Sequence, residues 1–173
     1  MIIVLFFVVI VCLNYYDQKR KITDKIDSFL DINTSYKEKM GILTPKDSQE
    51  LYYNKMPDGV LEEATANHQK AFEEVTNIKW NLGRIENLNR LNDLVTKTNS
   101  HLHMSDFEEF KNTLGDLYEA YGFEKHKIRR AFVVEVNIEF EHRKEEKGTY
   151  TYYMVVYKYK NEWYVYVPLG TNT

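Results

Sequence analysis

The chain has 173 residues, a formal net charge of −3 and 28% charged side chains. This length suits one domain of ordinary size with a short extension, and it argues against a second domain. The nearly balanced charge lacks the basic excess of nucleic-acid-binding proteins, so nucleic acid is excluded as the main partner. Because Cys12 is the only cysteine, the chain can form neither an internal disulfide nor a cysteine-based zinc site.

The N-terminal segment is strongly apolar. Residues 1–13 carry no charged side chain, and Tyr15 and Tyr16 then precede the basic cluster Lys19, Arg20 and Lys21. As a helix, residues 2–16 would be about 22 Å long, against about 30 Å for the hydrocarbon core of a bilayer. Tyrosines at headgroup level and snorkelling basic side chains allow such a short helix to anchor a protein. The pattern predicts an uncleaved membrane anchor over residues 1–16 and a single-pass membrane protein.

Other interpretations of this segment stay open. A cleaved signal peptide fits the apolar length, although the sequence lacks a basic leading region and a small-residue cleavage site. A lipoprotein signal would place the lipid on Cys12, although Val11 stands where a small residue is usual. A buried apolar strand or helix is the remaining alternative. The basic cluster also bears on topology, because the positive-inside rule would place the following domain in the cytoplasm.

Residues 17–57 are predicted to be a stalk helix and a connector. Ile22, Ile26 and Phe29 recur at helical spacing after the anchor. The polar stretch "NTSYKEKMGILTPKDS" then contains a glycine and a proline, which favour irregular structure with at most a short helix. The turn signal Pro57-Asp58-Gly59 closes this region, and we expect the folded domain to span residues 58–173.

The first part of this domain has helical periodicity. Apolar side chains recur by threes and fours from Leu61 to Val95, which predicts one long helix or two. Ser105 and Glu108 then form an S-x-x-E capping box, and Gly122 is placed to end the helix that follows. The apolar face of that helix must lie on something apolar.

The last third of the chain has the alternation of β-strands. Residues 132–140 place apolar side chains on one face and polar ones on the other. Two further strands flank Lys160-Asn161, and a tight loop there would pair Tyr159 with Glu162, Tyr157 with Tyr164, and Val155 with Tyr166. The predicted fold class is therefore α+β: an N-terminal membrane helix, then helices packed on a C-terminal curved antiparallel meander of at least three strands.

Seven of the 14 tyrosines lie within residues 150–167, and the register divides them between two faces. One face, which includes Tyr150, is expected to be core or to line a pocket. Its pocket candidates are Phe132, Tyr152, Met154 and Trp163. Tyrosine is enriched at interfaces because it offers a large rigid surface and a water-tolerant hydroxyl. The other face therefore holds the partner-binding candidates Tyr153, Tyr157, Tyr159, Tyr164 and Tyr166. A cross-strand ladder that only stabilises the sheet would explain the same pattern, and a helix lying over this face would decide between the two.

The order of elements resembles the nuclear transport factor 2-like, or cystatin-like, superfamily. The resemblance rests on "SDFEEFKNTLGDL" before the first long strand and on the closing "YMVVYKYKNEWYVY", and it covers about residues 60–168. It is strongest to small membrane-attached members from Gram-positive bacteria. It implies a cone-like domain in which a curved sheet wraps a helix. Because the superfamily includes enzymes, binding modules and assembly subunits of secretion and conjugation machines, the fold alone names no function.

The sequence contains few candidates for catalytic or metal-binding residues. Isomerases of the superfamily need a carboxylate base deep in the cone, whereas Glu135, Glu139 and Glu141 fall on the polar side of their strand. A metal site at His101 and His103 would need both imidazoles on one side of a strand or loop, and histidines beside a helix start are usually structural. We therefore expect no catalytic residue, no cofactor and no metal.

The expected function is that of a non-catalytic binding or assembly module of a cell-envelope complex, with a secretion or conjugation apparatus as the most concrete candidate. Its expected partners are the membrane, through residues 2–16, and a protein. The alternative is a small-ligand binding domain or an immunity-type inhibitor protein at the membrane. The resemblance implies an extracytoplasmic domain and the basic flank implies a cytoplasmic one; we expect the former.

Overall fold

A computed structural model describes residues 2–55, 57, 59–73, 75–88, 106–142 and 147–167. These residues form an α+β structure in which helices cover both faces of one antiparallel sheet. The helices are α1 (Ile2–Leu30), α2 (Tyr36–Leu43), α3 (Lys46–Lys55), α4 (Val60–Glu73) and α5 (Phe107–Tyr118). The strands are β1 (Val75–Asn87), β2 (Ile128–His142), β3 (Lys147–Tyr159) and β4 (Glu162–Tyr166), adjacent in chain order. The predicted α+β class and antiparallel meander are confirmed.

The β3–β4 hairpin has the register that its sequence predicts. Tyr159 pairs with Glu162, Tyr157 with Tyr164, and Val155 with Tyr166. The two-residue loop requires left-handed backbone, and Lys160 accordingly has φ 52°.

One face of the sheet packs against α1 and α2. Ile22 and Ile26 of α1 are fully buried there, and Ile42 of α2 joins them. The sheet contributes buried apolar side chains from three strands, namely Phe132, Val134, Val136, Ile138, Met154, Val156, Trp163 and Val165. Residues 22–43, which the sequence places in a stalk and connector, thus supply one layer of the domain.

The opposite face packs against α5 and the segment that follows it. Phe110 and Leu114 of α5 are fully buried against the sheet, and Phe123 lies beside them. Asp106 caps this helix by accepting a hydrogen bond from the Glu109 amide at 2.9 Å. The predicted cap residue Ser105 lies outside the described residues. Gly122 has φ 75°, the left-handed conformation expected where the helical segment ends.

Two segments differ from the sequence prediction. The predicted helical pattern from Leu61 continues only to Glu73, and the chain from Val75 to Asn87 is strand β1. The predicted irregular connector contains α2, which begins with a capping box: the Ser35 hydroxyl accepts from the Glu38 amide, and the Glu38 carboxylate accepts from the Ser35 amide at 2.9 Å. Such reciprocal bonds satisfy the amides at a helix start and make even an eight-residue helix favourable.

Candidate functional site

The partner-binding candidates are mostly core residues. Tyr157, Tyr159 and Tyr164 are buried beneath α5 and the following segment, whereas Tyr153 and Tyr166 are partly exposed. Packing within a cross-strand ladder therefore suffices to explain the presence of Tyr157, Tyr159 and Tyr164. Only Tyr153 and Tyr166 could touch a partner without a rearrangement of the helix above them.

Aromatic contacts hold α5 on this face. The Phe110 ring meets Tyr157 edge-on at 5.5 Å and Tyr166 at 5.9 Å between ring centroids. Phe123 stacks on Tyr159 at 4.6 Å, and the Tyr159 hydroxyl accepts a hydrogen bond from the Glu124 amide. Edge-to-face and offset stacked rings add to the stabilisation that burial gives.

Tyr157 is the most enclosed of these tyrosines. Its hydroxyl has no hydrogen-bond partner among the described residues. Burial, reinforced by the nearby tyrosines, raises its pKa well above the usual value because a phenolate has no solvent there. Tyr157 therefore stays neutral over the physiological range.

The pocket candidates lie on the other face, and within the described residues most of them are covered by helices. Phe132, Met154 and Trp163 are buried in the cluster that contains Ile22 and Ile26 of α1. The Phe132 and Trp163 rings lie 5.9 Å apart, so they pack as neighbours in the core. α1 therefore fills the space that the sequence assigns to a ligand. The fourth candidate, Tyr152, is 42% exposed.

An exposed aromatic surface lies on β2 and β3 at the start of β3. Tyr150 is 52% exposed, and its ring stacks on Phe140 at 5.3 Å, with Tyr152 adjacent at 6.1 Å. Gly148, opposite Phe140 in the register, leaves the space that this ring occupies, since a Cβ there would lie 2.3 Å from it. The sequence analysis assigned Tyr150 and Tyr152 to core or pocket, and their exposure corrects that assignment. We call Phe140, Tyr150 and Tyr152 the aromatic patch.

Two clefts open elsewhere on the described surface. One, of about 230 Å³, lies between the end of α1 and the start of β1, where the Trp80 indole donates to the Asp27 carboxylate at 3.2 Å. The other, of about 180 Å³, lies beside the β3–β4 loop and is lined by Lys46, Tyr159 and Glu162, among others. Neither cleft is lined by the predicted pocket residues.

Metal-binding groups do not come together in the part of the chain that the structure describes, where no cluster of three or more histidine, cysteine or carboxylate side chains is found. His101 and His103 lie outside the described residues. His68 packs edge-on against Tyr36 at 5.8 Å on the surface of the α2–α4 contact.

The N-terminal part of α1 extends the same helix that reaches the core. Leu13, Tyr15 and Tyr16 are 64%, 63% and 70% exposed, whereas Ile22 and Ile26 are fully buried. Apolar side chains on a solvated helix are unfavourable in water, so this stretch is suited to a contact. Measured over the described residues, no helix has both the length and the apolar character required to cross a bilayer.

Comparison with known proteins gives no relative: no family model matches the chain, and neither a curated protein nor a solved structure is similar to it.

Proposed function

We propose that this chain is a non-catalytic protein-binding module held at a membrane by residues 2–16, with an α+β domain of the nuclear transport factor 2-like, or cystatin-like, kind. One observation carries the proposal. The helix that bears the exposed Leu13, Tyr15 and Tyr16 is the same helix that buries Ile22 and Ile26 in the domain. The apolar segment is therefore joined to the domain by helix and not by a flexible linker.

The spacing along α1 sets how close the domain would lie to the bilayer. Tyr16 and Ile22 are six residues apart, or about 9 Å along a helix axis. If the tyrosines occupy the headgroup region, the sheet begins about two turns beyond them. Such a short rigid connection favours a protein that acts at the membrane surface over one that reaches away from it.

Membrane attachment is tested by flotation of the full chain with lipid vesicles. Replacing Val8 and Ile10 with lysine puts two charges into the apolar segment, and each lysine disfavours insertion by roughly 2.5–3.5 kcal/mol. We expect the double variant to stay with the soluble fraction. The matched control, Ala66→Lys on the exposed surface of α4, should float like the unmodified chain. Equal flotation of all three proteins would contradict the proposal.

The aromatic patch is the surface that best supports a protein partner. Tyr150 and Tyr152 present large rigid rings to solvent. Within the described residues, β4 pairs only with Val155–Tyr159, so the outer edge of Lys147–Met154 keeps its backbone groups open. An exposed strand edge beside aromatic side chains suits a partner that adds an extended segment.

Site-specific crosslinking in the native membrane tests this surface. A photoreactive phenylalanine analogue at Tyr152 should give a discrete crosslinked product, whereas the same group at Thr151, on the opposite face of β3, should not. Adding Tyr150→Ser to the chain that carries the photoreactive group at position 152 should abolish that product while leaving the unfolding midpoint unchanged. Crosslinks of equal yield from both positions would argue against a specific partner at the patch.

We further propose that the complex belongs to the cell envelope, with a secretion or conjugation apparatus as the leading candidate and with the domain outside the cytoplasm. The support is the resemblance of residues 60–168 together with the proposed attachment. The side of the membrane on which the domain lies can be tested by cysteine labelling. Thr149, which is exposed, is replaced by cysteine in a Cys12→Ser chain, and intact cells are treated with a membrane-impermeant thiol reagent. Protection in intact cells and reaction after lysis would place the domain in the cytoplasm.

A further inference from the structure

We propose that the end of the domain built from the start of β2 and the β3–β4 loop is a second membrane contact, which binds anionic phospholipid headgroups. We call this surface the basic end. The inference rests on the proposed membrane attachment and adds to it the orientation of the domain and the kind of lipid.

The direction of α1 places its N-terminal part at the basic end. Its last residues, among them Asp27 and Leu30, lie by Thr76 and Trp80 at the start of β1. That is the end of the sheet where β1 pairs with residues 138–142 of β2, remote from the β3–β4 loop. Further back along α1, Ile22 and Ile26 pack in one cluster with Trp163 and Val165 of β4, the strand that follows the loop. Followed towards its N-terminus, α1 therefore leaves the sheet over β4 near the loop.

Basic side chains of three separate segments meet at this end, and the direction of α1 leads its own basic cluster towards it. Strand pairing puts Arg130 opposite Lys158, and the Lys160 amide donates to the Lys127 carbonyl at 3.1 Å. Lys46, at the start of α3, lies 2.9 Å from Glu162. The exposed cations are Lys19, Arg20 and Lys21 on α1, Lys46, Lys125, Arg129, Arg130 and Lys160.

The carboxylates beside these cations already have cationic partners, and on α1 Asp17 lies 3.3 Å from Arg20 and 2.6 Å from Lys21. Glu162 is paired with Lys46, and Glu124 lies near Lys127 and His126. At the opposite end of the sheet, by contrast, Lys147 is matched with Glu141 at 2.9 Å. A chain of net charge −3 thus concentrates exposed positive charge at the end towards which its apolar helix leads.

Charge complementarity selects an anionic bilayer as the occupant. A lysine or arginine near an anionic surface raises membrane affinity roughly fivefold, and the effect decays within a screening length of about 8 Å at physiological salt. If residues 2–16 insert, α1 reaches the sheet about 9 Å beyond Tyr16, a distance comparable to that screening length. The apolar segment and the basic end then supply two signals for one membrane, a combination that gives stable attachment.

Flotation of the full chain with vesicles of phosphatidylcholine, alone or mixed with phosphatidylglycerol, measures the lipid preference. The variant Arg129→Gln/Arg130→Gln/Lys160→Gln should bind mixed vesicles roughly 100-fold more weakly, as three charges are lost. The matched control Lys70→Gln/Lys79→Gln/Lys147→Gln removes equal charge, with two of the three at the opposite end of the sheet, and should bind like the unmodified chain. At about 1 M salt, where the screening length is about 3 Å, the difference should vanish.

The orientation has its own measurement. In a Cys12→Ser chain, a fluorophore on Asn161→Cys at the basic end should be quenched by headgroup-labelled lipid, whereas one on Thr149→Cys should not. Equal quenching at both sites, or equal binding by both triple variants, would overturn the inference while attachment stands. Failure of the unmodified chain to float with either kind of vesicle would instead overturn the proposed attachment.

Discussion

Strand β3 has two tyrosine-rich halves that lie in opposite environments. In the first, Lys147–Tyr153, Tyr150 and Tyr152 are exposed and stack beside Phe140. In the second, Met154–Tyr159, both tyrosines are buried and every side chain except Lys158 lies in the core. Tyrosine occurs in both halves, whereas the apolar Met154, Val155 and Val156 belong only to the second. Both the composition and the covering elements therefore separate the two halves.

Three elements cover the second half of β3. The first half lacks pairing with β4 in the described structure, and its Tyr150 and Tyr152 are not covered by α1. β4 pairs with Val155–Tyr159, α5 packs on one face through Phe110, and α1 packs on the other through Ile22 and Ile26. Alternation within a strand tells which side chains share a face, but it carries no information on where an overlying helix ends. The same residue type is therefore structural at position 157 and available to a partner at position 152.

The largest effect should come from removing the α5 anchor. Phe110→Ala deletes a fully buried ring that touches Tyr157 and Tyr166, and it should lower the free energy of unfolding by about 3–5 kcal/mol. Urea denaturation followed by circular dichroism measures the loss. Tyr150→Ala, in the exposed half of β3, should cost less than about 1 kcal/mol. Similar losses from the two variants would mean that the halves of the strand do not differ as described.

A somewhat smaller loss should follow from Ile26→Ala on α1. Its side chain is fully buried in the sheet-facing cluster, and truncation should cost about 2–4 kcal/mol. Asp24→Ala, exposed on the same helix, is the control and should change stability little. If Ile26→Ala unfolds at the same urea concentration as the unmodified protein, this part of α1 is a stalk and not a layer of the domain.

The β2–β3–β4 meander and α5 could be predicted because their signals are local. Strict alternation defines the strands, and the two-residue loop at Lys160-Asn161 fixes the register of every pair that follows. α2 carries an equally local signal, since Ser35 and Glu38 have the same S-x-x-E spacing as the capping box predicted at Ser105. The neighbouring glycine and proline nevertheless favoured the prediction of an irregular connector.

β1 was predicted wrongly because its irregularities imitate a helix. Register shifts occur between Val75 and Asn77 and between Leu82 and Ile85. A bulge adds one residue to the alternation, so Val75 and Ile78, and likewise Leu82 and Ile85, come to be spaced by three. The step of four from Ile78 to Leu82 spans two regular strand repeats, with Trp80 between them. Between the two shifts the strand period of two is plain, in Ile78, Trp80 and Leu82.

The candidate site could be predicted only in part. The sequence separates Tyr152 from Tyr153 correctly as opposite faces, yet burial depends on contacts between segments far apart in the chain, such as Phe110 with Tyr157. Leu117 shows the same limit, since it belongs to the predicted apolar face of α5 and is nevertheless largely exposed.

A moderate gain in stability should follow from Tyr157→Phe. The hydroxyl is buried without a partner among the described residues, so its removal should stabilise the protein by up to about 1 kcal/mol. Tyr159→Phe is the matched control: it deletes a hydroxyl that accepts from the Glu124 amide and should cost about 1 kcal/mol. Urea midpoints of the two variants should therefore move in opposite directions. A loss from Tyr157→Phe would reveal a partner for that hydroxyl.

The smallest expected effect is a pH dependence that His68 contributes. Burial and, secondarily, the nearby Lys39 lower the pKa of His68 below its ordinary value of 6.5. The folded state then resists a proton that the unfolded chain accepts, so this contribution to stability is complete above pH 6.5 and falls as the pH drops through that value. Below the folded-state pKa both states are protonated, and the loss levels off.

The variant His68→Asn isolates this contribution from that of the other histidines. Unfolding midpoints between about pH 7.5 and 5.5 should fall less for the variant than for the unmodified chain, because only the latter has the depressed imidazole. Gln69→Asn, an exposed neighbour that does not titrate, should keep the full dependence. Since His68 packs against Tyr36 of α2, parallel pH profiles for all three proteins would mean that α4 does not hold this imidazole away from solvent in the folded domain.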